Sequence, residues 1–180
     1  ASLRGIPGVQ VWRPGDAEET NLAWNMAKEK KNHPVCLMLS RQNLTVYEKE
    51  DADWKHTIEC GGYIVKQGDI NPDVTILATG SEVNLALQAA NLVKDKKVRV
   101  VSVIDRELFA SQPKTLRDMI IGSPAKVVVA EAGIKMGWES FVTAQENIFC
   151  LSSFGTSGPG GKVAEHFGFT AEKLAELIQK

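Results

Sequence analysis

The chain has 180 residues, 43% of them hydrophobic and 24% charged, with a formal net charge of −1. That length supports one comfortable core, or a domain plus a piece of another, and the near-neutral balance argues against a nucleic acid or membrane surface as partner. No apolar run approaches the roughly 20 residues needed to span a bilayer, and no signal-peptide pattern opens the chain.

The sequence begins Ala1-Ser2-Leu3-Arg4 without a methionine, which reads as a processed chain or a fragment. Cys36, Cys60 and Cys150 are odd in number and widely spaced, which suits a reducing compartment, and the cytoplasm is the expected location. Val11-Trp12-Arg13-Pro14-Gly15-Asp16 leads into a helix expected over about residues 17–31. Asp16 is placed as N-cap and Glu19 completes a capping box. Leu22, Ala23, Met26 and Ala27 share one helix face, and Lys28, Lys30 and Lys31 suit the C-terminal end. Val35-Cys36-Leu37-Met38-Leu39 reads as a short buried strand. One helix and one strand cannot bury their own apolar faces, so this first part is expected to end a larger domain.

Residues 45–60 are polar and aperiodic and read as a surface linker, which Trp54 could dock onto either side. From Gly61 onward strands and helices alternate. Gly62–Lys66 alternates like an antiparallel edge strand. Residues 74–79, 98–104, 126–130 and 148–151 read as strands. Helices are expected over 82–95, over 112–121 with Ser111 as cap, and from Thr170 to the end. Continuous apolar strands mean that helices cover both faces of the sheet, so the fold class is α/β with a mainly parallel sheet in three layers.

Several segments could carry chemistry. The turn Ala78-Thr79-Gly80-Ser81-Glu82 could hold an anion at a helix N-terminus, but one glycine is also what a tight turn needs for structural reasons alone. Phe154-Gly155-Thr156-Ser157-Gly158-Pro159-Gly160-Gly161 could cradle an oxyanion or simply be a flexible turn. Glu131-Ala132-Gly133 follows a strand's C-terminal end, where open α/β sheets bind ligands, yet a lone carboxylate there is only suggestive. His33, His56 and His166 read as solvated. Ser40-Arg41-Gln42-Asn43 presents four polar side chains where an apolar strand ends. A guanidinium there suits a phosphate or carboxylate through two parallel hydrogen bonds. No catalytic, cofactor or metal ligand is assigned on chemistry alone.

Leu3-Arg4-Gly5-Ile6-Pro7, Val11-Trp12-Arg13-Pro14-Gly15-Asp16, Ala23-Trp24 and Leu39-Ser40-Arg41-Gln42-Asn43-Leu44 together resemble consecutive stretches of transketolases. The resemblance continues through Gly61-Gly62-Tyr63, Ala78-Thr79-Gly80-Ser81-Glu82-Val83, Leu108-Phe109, Glu131-Ala132-Gly133, Gly137-Trp138 and Phe167-Gly168-Phe169-Thr170. It implies a cytoplasmic, homodimeric enzyme that uses thiamine diphosphate and Mg²⁺ or Ca²⁺ and belongs to the pentose phosphate pathway. Such an enzyme moves a two-carbon ketol unit between sugar phosphates, and the cofactor supplies the carbanion chemistry.

By the same resemblance residues 1–45 end a middle, pyrimidine-binding domain, 46–60 link, and 61–180 form the C-terminal domain. Arg41 corresponds to an arginine that grips the substrate's terminal phosphate. The ligands of cofactor and metal, and the other side chains around substrate, fall outside the matched stretch. The chain alone is therefore expected to be inactive, contributing phosphate binding and structural or dimer support. Another thiamine-diphosphate family, or a standalone α/β interaction module derived from the third domain, are the alternatives. Asp105-Arg106-Glu107 and Gly158-Pro159-Gly160-Gly161 depart from the family's pattern.

Overall fold

The computed structural model describes residues 2–180. Val11 and Trp12 are buried and form, with Gln10, the short strand β1 (Gln10–Trp12), which the sequence reading did not foresee. Helix α1 (Ala17–Glu29) starts where Asp16 takes extended backbone and accepts a hydrogen bond from the Glu19 amide at 2.8 Å. The reciprocal half of the expected capping box is shifted by one residue: the Glu19 carboxylate accepts from the Gly15 amide at 2.7 Å. Helix α1 ends two residues before position 31, because Lys30 turns to extended backbone.

Strand β2 (Val35–Leu37) pairs parallel with β1, setting Trp12 opposite Leu37. The expected buried strand over 35–39 is corrected here. Strand β2 is half-buried, and Met38 and Leu39 beyond it are exposed, since a sheet of only two strands has little to cover it. Trp24 on α1 is likewise 60% exposed.

The segment read as a polar surface linker does more than cross a gap. It contains α2 (Trp54–Thr57) and places Tyr47, Trp54 and Ile58 in the core. The Trp54 ring lies 5.3 Å from that of Tyr63. These three apolar residues stand far apart among charged ones, and only Trp54 lies in an α-helix, one of four residues, so the sequence pattern hid them.

The rest of the chain builds β3 (Gly62–Lys66), β4 (Val74–Ala78), α3 (Glu82–Leu92), β5 (Val98–Val103), α4 (Arg106–Ser111), α5 (Lys114–Ile121), β6 (Lys126–Glu131), β7 (Ile148–Cys150), α6 (Gly160–His166) and α7 (Ala171–Gln179). The strands form one sheet in the order β3-β5-β4-β6-β7, with β3 antiparallel at the edge and the others parallel. Strands β4 and β5 are buried along their whole length. Ile76 and Ala78 pack into one core with α3 and α7, while Leu77 points to a second core holding Phe109, Ile120 and Trp138. The α/β class and the covered faces are as the sequence implied.

One helix was misjudged. The expected helix over 112–121 is α5, and Ser111 does not cap it. Ser111 is the last residue of a separate helix α4, capped by Asp105, and its hydroxyl donates to the Leu108 carbonyl. Pro113 forces Gln112 into extended backbone, which splits the two helices. The charged run Asp105-Arg106-Glu107 thus has a structural use. Asp105 also accepts the Trp12 indole N–H at 2.7 Å, and Arg106 lies over the Trp138 ring.

Sheet order decides where a crevice opens. From β4 the chain returns through α3 to β5 on one side, and from β6 it passes to β7 on the other. The loops leaving β4 and β6 therefore diverge at adjacent C-terminal ends, the place where open α/β sheets take ligands.

Candidate functional site

A cleft of about 410 Å³ opens at this divergence. Gly80 and Ser81 after β4, and Glu131, Ala132 and Gly133 after β6, form one wall. Ser2, Leu3 and Arg4 with Met38, Leu39, Ser40 and Gln42 form the other. A second cleft of about 440 Å³ lies between the start of α1 and residues 39–44, so the loop after β2 borders two hollows.

The floor of the first cleft is ionic. Arg4 Nη1 donates to both oxygens of Glu131, at 2.8 and 2.9 Å. Arg13 spans two carboxylates, reaching Glu131 at 2.9 Å and Glu82 at 2.8 Å. The Trp138 indole N–H also donates to Glu131, and the Ala132 amide and Ser81 hydroxyl donate to Glu82. Burial pushes the Glu131 carboxyl up, but the charges of Arg4 and Arg13 and the hydrogen bonds from Arg4 and Trp138 outweigh it and hold it below its ordinary value. Both carboxylates stay committed to cations.

Magnitudes separate what holds this junction from what shapes it. A tryptophan such as Trp12, fully buried, removes on the order of 200 Å² from water, worth about 5 kcal/mol at ~25 cal/mol per Å². A buried ion pair roughly breaks even against desolvation, and its net contribution is small beside that. Trp12 supplies adhesion. The arginines, with their fixed planar fork, supply geometry.

A second junction joins α1 to the main sheet. Glu19 is fully buried and accepts the hydroxyls of Tyr47 and Tyr63, at 2.5 and 2.7 Å, with no cation paired to it among the described residues. Burial raises its carboxyl above the ordinary 4.5 despite those hydrogen bonds. The neighbouring Asp16 carboxylate is met by Lys49.

Arg41 stands exposed between Ser40 and Gln42, both of which line the clefts. The Ser40 hydroxyl donates to the Gln42 carbonyl at 3.2 Å and closes the turn across it. Arg4, Arg13 and Arg106 are tied to carboxylates and Arg99 to backbone carbonyls. Among the described residues the Arg41 guanidinium makes no ion pair and no hydrogen bond.

The other candidates lose their functional reading. Gly80, at φ +64°, is the turn glycine, and the space a Cβ would take lies 3.2 Å from the Arg13 guanidinium. A cation already sits over the turn proposed for an anion. Phe154 is almost fully exposed, and nothing lies within 4 Å of a Cβ built at Gly155, Gly160 or Gly161. His33, His56 and His166 are exposed and apart. Burial and the nearby Glu131 charge push the Cys150 thiol up to about 12, so it is no ready nucleophile.

Glu82, Arg4 and Arg13 were not foreseen as one cluster with Glu131. Arg13 directly follows two apolar residues and precedes a proline, a local hint of burial, but its partners lie 69 and 118 residues away.

Comparison with known proteins agrees with this architecture. Residues 61–170 match the transketolase-like C-terminal domain family, and residues 1–46 match the transketolase pyrimidine-binding domain family. A transketolase of Treponema pallidum is 49% identical over 99% of this chain, which covers 27% of that protein, and one of Aquifex aeolicus is 37% identical over 98%, covering 26%. The chain thus spans about a quarter of the length of the relatives it matches. In structure it resembles a Pichia stipitis transketolase variant in complex with fructose 6-phosphate, with a TM-score of 0.88 at 32% identity over 99% of this chain and 26% of the other. On the matched domains, the identity and the shared architecture, this chain belongs to the transketolase family.

Proposed function

We propose that this chain serves as the carboxy-terminal part of an enzyme that transfers a two-carbon ketol unit from a ketose phosphate to an aldose phosphate, and that Arg41 binds the terminal phosphate of those sugars. The observation that carries this reading is the exposed guanidinium of Arg41, which pairs with no carboxylate among the described residues and is set between two cleft-lining residues, while Arg4 and Arg13 on the cleft floor both pair with Glu131. A planar fork with its donors unpaired suits a dianionic phosphate. The solved Pichia stipitis relative carries fructose 6-phosphate, a ligand of that kind.

Thiamine diphosphate with Mg²⁺, a homodimeric assembly and a cytoplasmic location complete the proposal, on family grounds. The residues described here do not fit the cofactor. Glu82 and Glu131 are neutralised by arginines, and no three metal-ligating groups converge among the described residues. The cofactor, when bound, supplies the carbanion chemistry. The part that falls to this chain is to grip the phosphate end of a sugar and fix its distance from the reacting carbon.

In the complete enzyme, Arg41→Ala is expected to raise KM for phosphorylated sugars by one to two decades, from the loss of about 1.5–3 kcal/mol in a charge-assisted contact. Unphosphorylated ketoses should be little affected, and equal effects on both would refute the assignment. Titration of thiamine diphosphate and Mg²⁺ into the 180-residue chain alone should give no saturable one-to-one heat.

A further inference from the structure

We infer that Glu131 is a positioning residue for the Arg41 loop, acting through Arg13, an inference that rests on the phosphate-binding reading of Arg41. The crevice between the ends of β4 and β6 is where an open α/β sheet ordinarily receives a ligand. Here the chain's own Arg13 and Arg4 lie across its floor, and Glu131 binds both. The bare turn at Gly80 leaves room for the Arg13 guanidinium to lie against it.

From that anchor the connection to Arg41 is short and made of backbone. The Arg13 amide donates to the Ile104 carbonyl, and the Arg13 carbonyl accepts from the Gly80 amide, each at 2.9 Å. One residue back, the Trp12 carbonyl accepts from the Met38 amide at 2.8 Å, fixing the end of β2 three residues before Arg41. Beyond the loop, Asn84 on α3 donates to the Thr45 carbonyl at 2.9 Å. The loop from Met38 to Thr45 is thus held at one end by β1 and at the other by α3. It has little else to hold it, since residues 38–43 are exposed.

Arg13 reaches Glu131 through Nη1 and Glu82 through Nη2, so its rigid planar fork holds the two carboxylates at a fixed spacing, which the single flexible ammonium of a lysine does not. Loss of the bridge leaves the end of β1 to its backbone bonds and Trp12 alone, which loosens the placement of Met38 and of the loop that carries Arg41. Small misplacements of a binding group are costly in rate and affinity even when the mutated residue touches no substrate.

The test uses the complete enzyme carrying Glu131→Gln or Arg13→Lys, assayed with a phosphorylated and an unphosphorylated ketose. KM for the phosphorylated ketose is expected to rise roughly ten-fold, with kcat and the constants for the unphosphorylated ketose near wild type. In an Arg41→Ala background the same substitutions should add no further rise. Equal losses for both ketoses, a fall in kcat alone, or full additivity with Arg41→Ala would each overturn the inference. Arg13→Lys keeps the positive charge, so it carries the test should Glu131→Gln fail to fold. If Arg41→Ala itself shows no selectivity for phosphate, the reading of Arg41 fails, and this inference with it. Selectivity in Arg41→Ala without any in Arg13→Lys refutes the positioning role alone.

Discussion

Two buried carboxylates join the N-terminal segment to the main sheet, and they are held in opposite ways. Glu131 sits among two arginines and an indole N–H, and its carboxyl lies below its ordinary value although burial opposes this. Glu19 receives two tyrosine hydroxyls and a backbone amide but no cation, and burial lifts its carboxyl above 4.5. Similar burial therefore gives opposite proton affinities, decided by whether the donors carry charge. The crevice end is an ionic lock beside the clefts, and the seam under α1 is a joint held by hydrogen bonds from uncharged donors.

The comparison breaks most visibly at Glu131. Glu131→Ala leaves buried Arg4 without its close carboxylate and Arg13 with Glu82 alone, and is expected to cost about 3–5 kcal/mol in chemical denaturation. A loss below 1 kcal/mol would mean that the lock is open to water. Tyr63→Phe at the other joint removes one hydroxyl from Glu19 and should cost less, about 1–3 kcal/mol, read from the same denaturation curves.

The pH dependence sharpens the contrast with the smallest signal. Glu131 is lowered in the folded state, so its contribution is present above pH 4.5 and fades as pH falls below that. Glu19 is raised, so its contribution is complete below 4.5 and is lost as pH rises through its folded-state value. Stability profiles of Glu131→Gln and Glu19→Gln against wild type should accordingly diverge. The deficit of Glu131→Gln should shrink in acid, while Glu19→Gln should gain on wild type as pH rises above 4.5. Parallel profiles would show that the two carboxylates titrate alike and that the difference in partners does not matter.

Much of the architecture was legible because it depends on short-range pattern. The apolar runs of β4, β5 and β6 announced a sheet covered on both faces, and Asp16 and Thr170 announced helix starts that their side chains do cap. Arg41 was conspicuous as an arginine at a strand's end. Local pattern failed where it was ambiguous. Serine before a proline at 111–113 suggested a helix cap where a helix ends, and Tyr47, Trp54 and Ile58 lay scattered among charges.

Residue type and spacing by themselves determined the α/β class, most strands and helices, and the chemistry available to Arg41. Tertiary structure alone decided that Arg13 occupies the Gly80 turn, that Arg4 reaches Glu131 across 127 residues, and that Arg41 is left without a partner among the described residues. Caps and periodic faces are made by neighbours within a turn or two of chain. Charge pairing in a crevice depends on which loops the sheet order brings together, and no local stretch of sequence carries that.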